Sequence, residues 1–177
     1  DGVVEGPERV VVAFGGGDEG DGGAEGTTPE GLTGLEDPLT STIFERFAYL
    51  PPDLAWDILR RASRPLGNGP AMPEAAPKGD PSWAFWPGLR PGAQAFNKHH
   101  VEPDVLVSWG DTRLLIEAKH RGLQDPGQWI EQLRALRAHP AHAGKPTWLL
   151  AVGGIVKHEA HDHRARVQHE LAGEVPG

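Results

Sequence analysis

Apolar and polar positions alternate most clearly between residues 101 and 119, VEPDVLVSWGDTRLLIEAK. Two runs rich in aliphatic and β-branched residues, 101–108 and 112–119, flank a turn signal at Gly110–Asp111. Apolar runs on either side of a short polar turn are typical of a β-hairpin. We therefore predict two antiparallel strands here. The run 114–116 (LLI) predicts that the second strand is buried on both faces.

Helical spacing of apolar residues predicts helices on both sides of this hairpin. Residues 38–50 carry apolar side chains three or four positions apart, and Asp37–Pro38 supplies an N-cap followed by proline in the first turn. The same signal at Asp125–Pro126 begins a predicted helix at 126–138. Two further helices are predicted at 53–62 and 157–172.

Further strands are predicted where short apolar runs lie between segments rich in proline and glycine. The run 147–152 (TWLLAV) is one, and the run 82–86 (SWAFW) lies within 64–97, a segment that otherwise has the composition of a loop. A third run, 9–14, either ends a preceding domain or adds to the main sheet. The order of elements after residue 37 predicts a mixed α/β layered fold.

The charge of the chain is unevenly distributed. The net charge is −8, but residues 1–37 hold ten acidic residues and one basic residue, a net charge of −9, so the other 140 residues carry +1. The segment 1–37 is also rich in glycine, which predicts a flexible acidic linker from a preceding domain, followed by one folded domain at 38–177. No strongly basic stripe advertises nucleic-acid binding.

Composition narrows the class of protein further. The chain has no cysteine, which excludes a disulfide framework and a thiolate metal site and agrees with a reducing, cytoplasmic environment. No apolar run approaches the roughly 20 residues needed to cross a membrane, so we expect no membrane partner. The first residue is Asp rather than Met, so we expect the chain to be a piece of a longer, multidomain protein.

Charged residues at one end of the hairpin suggest hydrolytic chemistry. Glu117 and Lys119 are two positions apart and therefore share a face of the strand, and Asp104 lies on the neighbouring strand. Ionised groups are costly to bury without partners. Carboxylates are the usual ligands of Mg²⁺, and a lysine beside the ion can orient or deprotonate a water or neutralise charge in the transition state.

The pair Pro103–Asp104, followed after twelve residues by Glu117–Ala118–Lys119, resembles the signature of the PD-(D/E)XK nuclease superfamily. The resemblance covers about 38–152 and implies a restriction-endonuclease-like αβββαβ core, with a mixed central sheet flanked by helices. It also implies a nuclease dependent on Mg²⁺ or Mn²⁺, a DNA endonuclease of a prokaryotic defence or restriction type. Its partner would be nucleic acid, with DNA favoured over RNA, and many such nucleases act as homodimers.

The same resemblance implies a set of site residues. An acid on the first helix often joins the metal site in this superfamily, and Glu45 is the matching candidate. Glutamines often follow on the helix after the hairpin. The implied metal ligands are therefore Asp104, Glu117 and Glu45, and the implied catalytic residues are Asp104, Glu117, Lys119, Glu45, Gln128 and Gln132.

Other interpretations remain open at this stage. The fold is also compatible with a catalytically inactive module for nucleic-acid binding or assembly. The run 158–163 (HEAHDH) invites a zinc site, but position 162 is Asp where HExxH requires the second histidine, so a polar solvated helix is the simpler interpretation. Candidate contacts to phosphates or bases, weighed against solvated surface and core packing, are Lys98, Arg121, Arg134, Arg137, His99, His100, Trp83, Trp86 and Trp109.

Overall fold

The computed structural model describes residues 8–13, 36–66, 69–90, 101–120, 122–155 and 160–172. These residues form a mixed α/β fold of six strands and four helices. In chain order they are β1 (Glu8–Ala13), α1 (Glu36–Ala48), α2 (Pro52–Ala62), β2 (Ser63–Pro65), β3 (Pro81–Phe85), β4 (Val105–Trp109), β5 (Thr112–Ala118), α3 (Pro126–Ala138), β6 (Thr147–Val152) and α4 (Ala160–Ala172).

All six strands belong to one mixed sheet, in the order β2-β1-β6-β5-β4-β3. The neighbours β1 and β6, and β6 and β5, run parallel, and the other pairs are antiparallel. The predicted hairpin is confirmed as β4 and β5, with Val105 opposite Ile116. Its first strand is shorter than expected: Asp104 lies one residue before β4, and Val101 forms an isolated bridge with Leu89.

Two hydrophobic layers cover the two faces of the sheet. Helices α3 and α4 pack over one face, which includes Leu115, and helices α1 and α2 pack over the other, which includes Leu114 and Ile116. Leu114, Leu115 and Ile116 are all fully buried, as the apolar run 114–116 predicted. Burying each such side chain stabilises the fold by roughly 1.5–3 kcal/mol. Because β5 is central, any polar side chain on it enters the interior.

Helix α3 begins where the capping signal predicted. The side chain of Asp125 accepts a hydrogen bond from the backbone N–H of Gly127 at 2.8 Å, and Pro126 occupies the first turn. Trp129 and Leu133 then anchor the helix against the sheet. The cap and the apolar face together set which residues of α3 point toward β5.

The structure decides between the two placements left open for one predicted strand, and it adds a strand that was not predicted. The segment predicted at 9–14 is β1 (Glu8–Ala13), and it joins the main sheet between β2 and β6. Strand β2 (Ser63–Pro65) overlaps the start of the segment 64–97, which was predicted mostly as loop. Both strands are defined by pairing with distant parts of the chain, which a local hydrophobic pattern does not report.

Trp109 belongs to the core. It is fully buried, its ring meets that of Trp56 edge-on at a centroid distance of 5.4 Å, and its indole N–H donates to the carbonyl of Gly79 at 2.9 Å. Core packing, rather than base stacking, therefore accounts for this tryptophan.

None of the helices within the described residues has the length and apolar character that a membrane span requires.

Candidate active site around Glu117

Glu117 lies near the carboxyl end of β5, and none of its side chain is exposed to solvent. Its Oε1 accepts hydrogen bonds from Lys119 Nζ and Gln128 Nε2, each at 2.7 Å. Its Oε2 accepts from Gln132 Nε2, also at 2.7 Å. One cation and two amides thus offset the cost of burying the carboxylate, since hydrogen bonds to an ionised acceptor are stronger than neutral ones.

Simple periodicity brings these four side chains together. Glu117 and Lys119 are two residues apart at the end of a strand, so both side chains leave the same face. Gln128 and Gln132 are four residues apart on α3, so they are stacked on the helix face that meets that strand. The two glutamines that the resemblance implies as site residues therefore both contact the Glu117 carboxylate.

Asp104 is tied to the same strand by a hydrogen bond to its backbone. Its Oδ2 accepts from the backbone N–H of Ala118 at 2.7 Å. Its own carbonyl oxygen accepts from the backbone N–H of Trp86 at 3.0 Å. Trp86 has a φ of 45°, in the left-handed region that bulky residues rarely occupy. The carboxylate of Asp104 is thereby held beside the Glu117–Ala118 backbone.

Glu45 stands apart from this group. Its side chain is exposed on α1, and the part of the chain that the structure describes contains no cluster of three or more acidic or histidine side chains able to hold a metal ion. Five of the six predicted catalytic residues are therefore brought together, and Glu45 is not. Its role as a metal ligand stays a prediction.

The residues at Glu117 fit a hydrated divalent cation in donor chemistry and in charge. Asp104 and Glu117 provide hard oxygen atoms, and with Lys119 they leave a net charge of −1. Within the described residues, the buried Oε1 of Gln132 has no hydrogen-bond partner. A buried acceptor without a donor is unusual. Mg²⁺ keeps several of its waters when it binds to proteins, and such waters would supply donors.

A groove of about 540 Å³ runs along α3 and reaches Gln128 and Gln132. Its lining is more acidic than basic. Arg134, one of the two arginines, contacts Glu131 at 2.8 Å and Glu170 at 3.4 Å, so it is engaged in ion pairs with the groove's own acids. The charged residues that line the groove are Glu102, Asp125, Glu131, Glu170, Arg134 and Arg166.

The other predicted contact residues are less closely connected to the site. Arg137 donates to the carbonyl of Leu171 at 3.1 Å and thereby joins α3 to α4. The ring of His163 meets Trp129 edge-on at 5.8 Å, which places this histidine against the core. Four other candidates, and the start of the histidine-rich run, lie outside the described residues: Lys98, His99, His100, Arg121, His158 and Glu159.

Sequence reasoning missed Gln124. This residue is only 4% exposed, its Nε2 donates to the Glu117 carbonyl at 3.0 Å and to the Gly153 carbonyl at 3.2 Å, and its Oε1 accepts from the indole of Trp129 at 2.9 Å. It lies in a loop, where no periodicity marks a side chain as buried. The available signal was its place between the charged strand end and the N-cap of α3.

Comparison of the whole chain with protein-family models, with curated proteins and with solved structures found no match. The function of this chain must therefore be inferred from the geometry around Glu117.

Proposed function

We propose that this chain is a metal-dependent nuclease that hydrolyses phosphodiester bonds, a DNA endonuclease of a prokaryotic defence or restriction type. The observation that carries the proposal is the fully buried Glu117, held by Lys119 at 2.7 Å with Asp104 fixed to the adjacent backbone. These are the residue types that phosphodiester hydrolysis requires, and they lie together at the carboxyl end of β5.

Stability alone does not account for this arrangement. Replacing a buried ion pair by apolar side chains of similar volume is often neutral or stabilising. The three residues of β5 that precede Glu117 are aliphatic and fully buried (Leu114, Leu115 and Ile116), so an apolar residue at position 117 would suit the core. The chain instead places a carboxylate there and spends two glutamines of α3 on it. A functional requirement explains this better than a structural one.

The order of elements supports the proposed restriction-endonuclease-like fold. With α2 and β2 inserted between α1 and β3, the elements α1, β3, β4, β5, α3 and β6 occur in the order αβββαβ that the resemblance implies. Strands β3, β4 and β5 form an antiparallel meander, and β6 adds parallel to β5, which gives a mixed sheet. Helices cover both faces.

In the proposed mechanism, Asp104 and Glu117 would hold Mg²⁺ or Mn²⁺. When bound, the ion supplies charge neutralisation at the phosphoryl oxygens and lowers the pKa of an attacking water. Lys119 presents its ammonium at Glu117 Oε1 and orients the attacking water or counters charge on the phosphate. Gln128 and Gln132 keep the carboxylate of Glu117 from rotating, which preserves the geometry on which the rate depends.

Cleavage assays with matched variants test the proposal. The purified chain is incubated with duplex DNA, single-stranded DNA or RNA in Mg²⁺, Mn²⁺ or EDTA. We expect metal-dependent cleavage of DNA that falls on the order of 10²-fold or more in Lys119→Ala and Asp104→Asn. Lys145→Ala is the control, because Lys145 precedes β6 and so lies at the amino ends of the parallel strands β5 and β6, opposite Glu117. Equal activity in all variants would overturn the assignment.

One observation favours the alternative of an assembly module without catalysis. The groove beside Gln128 is lined by four acidic residues and two arginines, a balance that does not favour a polyanion. Such a module would bind a partner without cleaving DNA or RNA in any metal. Its melting temperature would also not rise with added Mg²⁺ or Mn²⁺.

A further inference from the structure

A backbone hydrogen bond of Lys119 links the carboxyl ends of β5 and β6. The backbone N–H of Lys119 donates to the Val152 carbonyl at 2.8 Å, and five residues later the backbone N–H of Gln124 donates to the Gly154 carbonyl at 2.8 Å. The chain between these two bonds is a short loop that begins at Lys119. Lys119 is thus held at the first residue of a loop whose two ends are both attached to the end of β6.

Gly153 and Gly154 allow this loop to approach closely. Both have left-handed backbones, with φ of 70° and 64°. A Cβ atom on Gly154 would lie 2.8 Å from the Cβ of Lys119 and 2.6 Å from the carbonyl oxygen of Gly122, and a Cβ on Gly153 would overlap the Lys119 carbonyl oxygen. The backbone of the glycine pair therefore lies directly against the Cβ and the backbone carbonyl of Lys119.

The buried side chain of Gln124 also links the ends of β5 and β6 by hydrogen bonds. Its amide nitrogen bridges the Glu117 carbonyl on β5 and the Gly153 carbonyl after β6, with the Val152 carbonyl at 3.5 Å. The indole N–H of Trp129 donates to its amide oxygen, which fixes the orientation of the amide. Only a side chain that donates and accepts at once satisfies both neighbours.

We infer that Gly154 and Gln124 are positioning residues that hold the Lys119 ammonium against the Glu117 carboxylate. The inference rests on the proposed nuclease function only for its effect on rate. The lysine stem is long and flexible, so its ammonium stays in place only if its backbone and its first carbon are fixed. A displacement of about 1 Å at a reacting group can cost on the order of 10²-fold in rate.

A matched pair of glycine substitutions tests this. Gly154→Ala adds a methyl group at a positive φ and pushes on Lys119. Gly144→Ala adds the same group at a φ of 70° with nothing within 4 Å, so it carries the backbone strain without the contact. Gln124→Met removes the hydrogen bonds to the Glu117 and Gly153 carbonyls without adding an atom next to Lys119. If Gly154→Ala does not fold, this variant alone tests the positioning role.

The readout is the ammonium resonance of Lys119 in ¹⁵N-labelled protein. The chain has five lysines, so the spectrum is simple, and Lys119→Arg assigns the signal. We expect a slowly exchanging Lys119 ammonium in the wild type and in Gly144→Ala, and its loss or shift in Gly154→Ala and Gln124→Met. In DNA cleavage, kcat should fall on the order of 10²-fold in the latter two, with KM within about twofold.

The two proposals fail in different ways. A folded Gly154→Ala or Gln124→Met variant with an unchanged Lys119 resonance and full kcat would overturn the positioning role while the nuclease assignment stands. A wild-type chain that cleaves no nucleic acid would overturn the nuclease assignment. The ammonium resonance would then still decide whether Gly154 and Gln124 position Lys119.

Discussion

Gln132 donates its amide hydrogen to Glu117 Oε2 at 2.7 Å, while its own amide oxygen is buried with no hydrogen-bond partner among the described residues. One end of this side chain is thus used to hold a buried carboxylate, and the other end is left as an acceptor beside it. The buried amide oxygen of Gln132 costs free energy unless some group donates to it. An unpartnered acceptor beside a buried carboxylate is the arrangement that the proposed metal site would explain.

The two glutamines should differ in their effect on stability. Gln132→Met removes the charge-assisted hydrogen bond at Oε2 and also the unpaired buried oxygen, so we expect a loss of about 1–2 kcal/mol in the free energy of unfolding. Gln128→Met should cost less than about 1 kcal/mol, because Gln128 is half-buried and Oε1 retains Lys119. Urea unfolding of the two variants gives the ranking, and a reversed order would contradict this account.

The ion pair between Glu117 and Lys119 should be strongly coupled. Lys119→Met leaves Glu117 buried with only amide donors, so we expect a loss of about 3 kcal/mol, as for other broken buried pairs. Combining it with Glu117→Gln should recover most of that loss, because no uncompensated charge remains. A double-mutant cycle by urea unfolding measures the coupling. Additive effects would show that the pair contributes little.

Metal binding should raise the melting temperature through Asp104 and not through Glu45. At a metal concentration 100 times Kd the stabilisation is about 2.7 kcal/mol, which is roughly 5–10 °C for a chain of this size. Asp104→Asn should abolish the rise with Mn²⁺. Glu45→Gln should retain it, because Glu45 is exposed on α1 and no acidic cluster that includes it exists within the described ranges. Loss of the rise in Glu45→Gln would instead confirm the ligand role that the resemblance implies for Glu45.

His142, which lies in the loop before β6, should make stability depend on pH. Burial, together with the positive charges of His139, Arg113 and Lys145, lowers the pKa of His142 to about 4, and His142 Nδ1 accepts from Arg113 Nε at 2.9 Å. Between pH 6.5 and 4 the unfolded chain therefore binds a proton at His142 that the folded chain does not, and stability falls as pH falls.

We expect this contribution to be about 1 kcal/mol between pH 7 and pH 5 after allowing for solvent screening. His142→Gln keeps an acceptor for Arg113 but does not titrate. Subtracting its urea-unfolding profile from that of the wild type removes the effect of the carboxylates common to both. Parallel profiles would exclude His142 as the titrating group.

Local patterns in the sequence predicted most of the elements that build the site. The hairpin 101–119 became β4 and β5, the Asp125–Pro126 signal became the capped start of α3, and the run 147–152 is β6. The strand period also predicted that Glu117 and Lys119 share a face. These features depend on residues within a few positions of one another, and the sequence displays that range directly.

The tertiary structure alone decided what lies between distant segments. It inserted β1 between β2 and β6, left Glu45 exposed on α1, buried Gln124 beneath Glu117, and brought Gly154 against Lys119. The last two depend on the parallel pairing of β5 with β6, which brings the segment after β6 against Lys119 and Gln124. Pairing across the sheet leaves no period in the sequence, because its free energy is set by packing and by loop closure.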